Sequence, residues 1–94
     1  MNEALKTLLT RMHRHCMIGG KHTPEKSFIM RLLKRLPRDE QKEFFREYRQ
    51  LFDDDILIRE KKRTGKGYDW HISINPRRAH DVKELLKGEG NETI

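Results

Sequence analysis

Residues 56–76 read ILIREKKRTGKGYDWHISINP, and this stretch decides the architecture. It opens on Ile56, Leu57 and Ile58, becomes basic at Arg59, Lys61, Lys62, Arg63 and Lys66, and bends at Gly65-Lys66-Gly67. It returns in strict alternation, with Tyr68, Trp70, Ile72 and Ile74 on one side and Asp69, His71 and Ser73 on the other. Successive strand side chains point to opposite faces, so alternation after a glycine-bearing turn predicts a β-hairpin with one buried face. Trp70 falls in the buried register and is expected under the hairpin, against the helix before it.

Working back from the hairpin, the spacing predicts a helix from about Asp39 to Phe52. At 100° per residue its side chains sort into sectors. Phe44, Phe45, Tyr48, Leu51 and Phe52 form a core arc, while Lys42, Arg46 and Arg49 form a basic stripe with Arg38 at its start. Glu40, Glu43 and Glu47 fill the rest, with Glu43 and Glu47 expected to pair with Lys42, Arg46 or Arg49. Before it, Phe28, Ile29, Leu32, Leu33 and Leu36 mark a second helix, with Thr23 as its N-cap, Pro24 in its first turn and Pro37 as its stop. The first helix spans residues 2–17, with Leu5, Leu8, Leu9, Met12 and Cys16 on one stripe and Ile18-Gly19-Gly20 ending it. After the hairpin, Asn75-Pro76 caps a last helix carrying Ala79, Val82, Leu85 and Leu86 and ending at Gly88. Residues 89–94 have no pattern and are expected to be a disordered tail.

The chain has 94 residues, enough for one domain with a small core. Charged residues are 38% of it, against ~25% in an average domain. The net charge is +6, which favours an anionic partner. That charge is unevenly placed: residues 1–38 carry nine Lys/Arg against two Asp/Glu, residues 59–88 nine against four, and residues 39–58 three against seven. The acidic balance around the third helix argues for modest affinity toward phosphate. A single cysteine excludes an intrachain disulfide framework and fits a reducing cytoplasm. No apolar run exceeds three residues and the N-terminal stretch is unlike a signal peptide, so a cytoplasmic protein with no membrane partner is expected.

Chemistry-bearing groups are sparse. His13, His15, Cys16 and His22 invite a metal reading, but His13 and His15 diverge on a helix, and Cys16 reads as a small apolar member of its stripe. No nucleophile–base pair, P-loop or dinucleotide fingerprint occurs. The expectation is therefore no catalytic residue, no metal, no cofactor and no enzyme.

Two short amphipathic helices, a tight turn and a basic-tipped hairpin together resemble the small winged helix-turn-helix regulators. Gly20-Lys21-His22-Thr23 and Ser73-Ile74-Asn75-Pro76 look like elements of short archaeal winged-helix proteins of mostly unassigned function. The resemblance covers residues 2–88 and implies an α+β winged helix-turn-helix over residues 1–88: three helices, a two-stranded β-hairpin wing and a C-terminal helix. It implies sequence-specific or semi-specific binding of double-stranded DNA by a transcription regulator. Helix three would lie in the major groove through Arg38, Lys42, Arg46 and Arg49, with Lys61, Lys62, Arg63 and Lys66 of the wing on the backbone. Such modules also dock proteins or bind RNA, which the acidic sector of helix three favours. A solvated tip that merely protects a sheet edge is the plainest reading of the wing charges. The terminal helices are expected to close the core and to offer a homodimer contact. Where that family commonly has glycine between helix three and the hairpin this chain has Asp55, so a looser turn is expected there.

Overall fold

The computed structural model describes residues 1–90 and has an α+β architecture of four helices and a three-stranded antiparallel sheet. The order is α1 (Glu3–Arg14), β1 (Thr23–Pro24), α2 (Glu25–Leu33), α3 (Arg38–Asp53), β2 (Leu57–Thr64), β3 (Gly67–Ile74) and α4 (Ala79–Gly90). A single 3-10 turn, Pro76–Arg78, leads into α4.

α1 begins as its sequence dictates: Asn2 Oδ1 accepts from the amides of Ala4 and Leu5 at 2.9 and 3.2 Å. Its end differs from expectation. Arg14 is the last helical residue, and Cys16 adopts φ +54 with its side chain exposed, so it is not part of the apolar stripe. Met17 N donates to Met12 O and Cys16 N to His13 O, a Schellman pair that uses Cys16 where glycine is usual. The glycines at 19 and 20 lie beyond this cap.

Thr23 and Pro24 are also placed differently from the sequence reading. They form a short edge strand paired with Ile72 and His71 of β3, giving the sheet order β1-β3-β2, and α2 starts only at Glu25. A proline is tolerated there because an edge strand needs no donor on its outer side. α2 ends at Leu33, three residues before Leu36, and the next helix takes up its last carbonyl and one of the turn: Gln41 Nε2 donates to Leu33 O at 3.3 Å and to Leu36 O at 2.8 Å. The turn between α2 and α3 is thus fixed by a side chain of α3.

The core joins all layers. Leu5, Leu8, Leu9 and Met12 of α1 meet Ile29 and Leu33 of α2, Phe44, Tyr48 and Leu51 of α3, Ile72 and Ile74 of β3, and Val82 of α4. Phe45, expected in the core arc, is instead 44% exposed, because the buried arc of α3 is narrower than its apolar sector. α4 packs on α1 and continues past Gly88 to Gly90; residues 91–94 of the expected tail lie outside the described residues.

β2 and β3 pair from Leu57↔Ile74 out to Thr64↔Gly67, closed by the two-residue turn Gly65-Lys66 with Gly67 at φ +131. The alternation read from sequence is correct in phase and fails in depth. Ile72 and Ile74 are wholly buried, while Trp70 and Tyr68 on the same face are 47% and 62% exposed. The outer half of the hairpin projects beyond the helices, so Trp70 does not lie in the core against α3.

Candidate functional site

The outward side of α3 carries the expected cations. Arg38 is the first residue of the helix and is exposed. Lys42, Arg46 and Arg49 surround the exposed Phe45 in a shallow hollow that Gln50 and Asp53 complete. Among the described residues none of these four cations forms an ion pair. Of the expected partners, Glu47 is engaged elsewhere: its Oε1 accepts from the backbone amide of Asn2 at 2.9 Å. Among the described residues no carboxylate of this segment forms an ion pair with the stripe, although Asp53 shares its hollow.

From Arg49 the surface runs into a groove of about 520 Å³ between α2, α3 and β2. Its floor is a polar clasp. The Tyr48 hydroxyl donates to Glu25 Oε2 at 2.5 Å, and Arg59 donates to the same oxygen from Nε at 3.2 Å and Nη2 at 2.6 Å. The Arg59 guanidinium lies over the Phe52 ring, 4.8 Å from its centroid. Burial, then the bond to Glu25 and its charge, push the Tyr48 phenol far above its ordinary value, so it stays a donor. Met30, 61% exposed, and Phe45 form the apolar rim.

The groove continues along the hairpin. Strand alternation places Arg59, Lys61 and Arg63 on the face that carries Tyr68 and Trp70. Lys61 Nζ lies 5.2 Å from the Tyr68 centroid and 5.9 Å from that of Trp70, and Arg59 lies 5.6 Å from Trp70. Lys66 is exposed in the turn. Lys62 stands apart: it lies on the opposite face and pairs with Glu60 at 3.4 Å. Of the eight residues singled out in the sequence, α3 and the hairpin thus bring Lys42, Arg46, Arg49, Lys61 and Arg63 toward one continuous surface. Arg38 and Lys66 mark the ends of α3 and of the hairpin, and Lys62 faces away.

Sequence reasoning missed Arg59, Lys26 and the exposed rings. Arg59 was legible, because the period of two that sorts Tyr68 from Asp69 also sorts Arg59 and Lys61 from Lys62. Lys26 belongs to the groove only because α2 starts beside the hairpin, which no local signal gives. The histidines do not gather with Cys16: His22 instead meets His71 across the sheet, with Nδ1 atoms 2.7 Å apart. Among the described residues no group of three or more His, Cys, Asp or Glu side chains converges on a metal position, and no helix is long and apolar enough to cross a membrane.

Comparison with protein-family models, with curated proteins and with solved structures gives no match for this chain. What the surface offers chemically is fixed positive charge beside flat rings, a combination suited to phosphates and planar groups.

Proposed function

We propose that this chain is a cytoplasmic winged helix-turn-helix protein that binds double-stranded DNA with sequence-specific or semi-specific preference and regulates transcription. The carrying observation is the unpaired stripe of Lys42, Arg46 and Arg49 on the exposed side of α3, continuous with Arg59, Lys61 and Arg63 of the hairpin. A helix ~10–12 Å wide fits the ~12 Å major groove, and cations on its outward side reach bases and phosphates together. The element order, with β1 joined to a hairpin that follows α3, supports the winged-helix reading. In this arrangement α2 braces α3 through Gln41, and the hairpin follows the flanking backbone.

Titration of a random duplex across salt concentrations tests this. With about five cations on phosphate, log affinity falls against log salt with a slope of roughly −4 to −5. Arg46→Ala weakens binding by about 1–3 kcal/mol if it reaches a base edge and leaves the urea melt unchanged. A salt-insensitive affinity sinks the reading.

A second reading, a protein-docking or RNA-binding module, is favoured by the apolar rim of Met30 and Phe45 on the groove. Weak duplex binding that no sequence competes for selects it. A homodimer through the terminal helices is a companion proposal: Leu85 and Leu86 are only half-buried against the core, and sedimentation equilibrium tests it.

A further inference from the structure

We infer that the slot between the hairpin and the start of α2 receives one unpaired nucleobase stacked on Trp70, so that DNA with a single-stranded end is preferred to blunt duplex. This rests on the nucleic-acid reading above and adds the form of substrate that the site selects.

The slot measures about 390 Å³, within the size of sites that hold small planar ligands. Tyr68 and Trp70 wall it on the hairpin side; Lys26, Ser27 and Met30 wall it on the α2 side. Large aromatic side chains are ordinarily spent on cores or interfaces, yet these two rings project past the helical layer into solvent. Their phase in the strand is that of the core residues Ile72 and Ile74, so the exposure comes from the hairpin's reach and not from a register slip.

Three features of this slot match a base and its phosphate. The indole offers a π-face, and stacking on such a face is tolerant of base identity. The Met30 thioether on the facing wall is a polarizable surface for the other side of a ring. Lys26 across the slot, with Lys61 and Arg59 beside the rings, supplies the charge that a sugar-phosphate backbone needs. Inside a duplex both faces of a base are covered by its neighbours, and a terminal pair bares only one, so a base that enters the slot between Trp70 and Met30 must leave the stack. The surrounding cations favour such a polyanion over an apolar protein segment.

Trp70 is the chain's one tryptophan, so its fluorescence reports on the slot directly. The experiment titrates the protein with a labelled blunt duplex and with the same duplex carrying a short single-stranded overhang, reading anisotropy and tryptophan emission. The overhang is expected to quench Trp70 and to bind about tenfold tighter than blunt duplex, as one stacked base allows. Trp70→Ala should erase that preference, so that overhang and blunt duplex bind it equally. Trp70→Phe, which retains a ring and guards against a folding defect, should keep most of it. Equal affinity for overhang and blunt duplex overturns the inference and leaves duplex binding standing. Retention of the preference in Trp70→Ala also overturns it. Failure to bind any oligonucleotide overturns the inference and the nucleic-acid reading together, and turns the slot over to a protein side chain.

Discussion

The Tyr48 hydroxyl and Glu25 Oε2 meet at 2.5 Å, tying the middle of α3 to the first residue of α2. Arg59 from β2 closes on the same oxygen, so three elements that shape the groove share one carboxylate. The groove's geometry is therefore set by a polar contact as much as by the core beneath it.

Replacing Tyr48 by Phe removes the donor but leaves Glu25 its bond to Arg59. The expected cost is about 1 kcal/mol at neutral pH, the usual net worth of one hydrogen bond. The pH dependence has a definite sign. The folded chain holds the phenol proton beyond the ordinary value of about 10, so this contribution is complete below that pH and is lost as pH rises above it. In urea melts at neutral and strongly alkaline pH, the wild-type advantage over Tyr48→Phe should shrink at the alkaline end. A constant gap means the phenol is not shielded as the structure has it.

Asp55 provides a second test of local geometry. It occupies the left-handed region at φ +59, where Ile56 N donates to Leu51 O and Asp55 N to Phe52 O. Asn75 reinforces the turn by donating from Nδ2 to Asp55 O at 2.8 Å. The turn is thus a closed Schellman cap and not the looser link that the absence of glycine suggested. A side chain in this conformation costs roughly 1–2 kcal/mol, partly offset by the smaller backbone entropy of the unfolded aspartate. Asp55→Gly should stabilise the fold by about 0.5–1 kcal/mol in a denaturant melt.

Much of this was legible in the sequence, and the failures share a cause. Periodicity located α1, α2, α3 and α4 and the phase of the hairpin, because each reflects a face that must be covered. It could not give depth along a strand: Trp70 and Ile72 obey the same alternation, and only the extent of the helical layer separates a core residue from an exposed ring. β1 left no trace because two residues have no period, and Thr23-Pro24 satisfies helix-start chemistry as well as an edge strand. The cationic stripe of α3 was readable from residue spacing, but the engagement of Glu47 away from it depended on where Asn2 comes to rest.

Adjacent phenylalanines show how sharp the boundary of the core is. Phe44 is wholly buried and stacks on Tyr48 with centroids 5.4 Å apart, while Phe45 meets Phe44 only edge-on and is 44% exposed. Phe44→Ala should cost about 3–5 kcal/mol, as aromatic truncation in a core does, and is enough to unfold a domain this small. Phe45→Ala should cost no more than about 1 kcal/mol. Thermal melts of the two variants check the contrast; equal losses would mean that Phe45 is covered in solution, for instance by a second copy of the chain.

The hairpin separates two neighbouring lysines that sequence alone treats alike. Lys61 lies on the ring-bearing face over Tyr68 and Trp70, whereas Lys62 lies on the opposite face against Glu60. Both are surface residues, so neither alanine variant should shift stability by more than about 0.5 kcal/mol. Their effects on duplex binding should differ. Lys61→Ala removes a cation from the surface shared with α3 and should make the log affinity against log salt slope shallower by about 1, weakening all sequences alike. Lys62→Ala removes a cation already paired on the far side and should leave the slope unchanged. Salt titrations of both variants on one duplex decide the matter. If Lys62→Ala changes the slope and Lys61→Ala does not, the hairpin meets the backbone with its other face, and the continuity between Arg49, Arg59 and Lys61 has no role in binding.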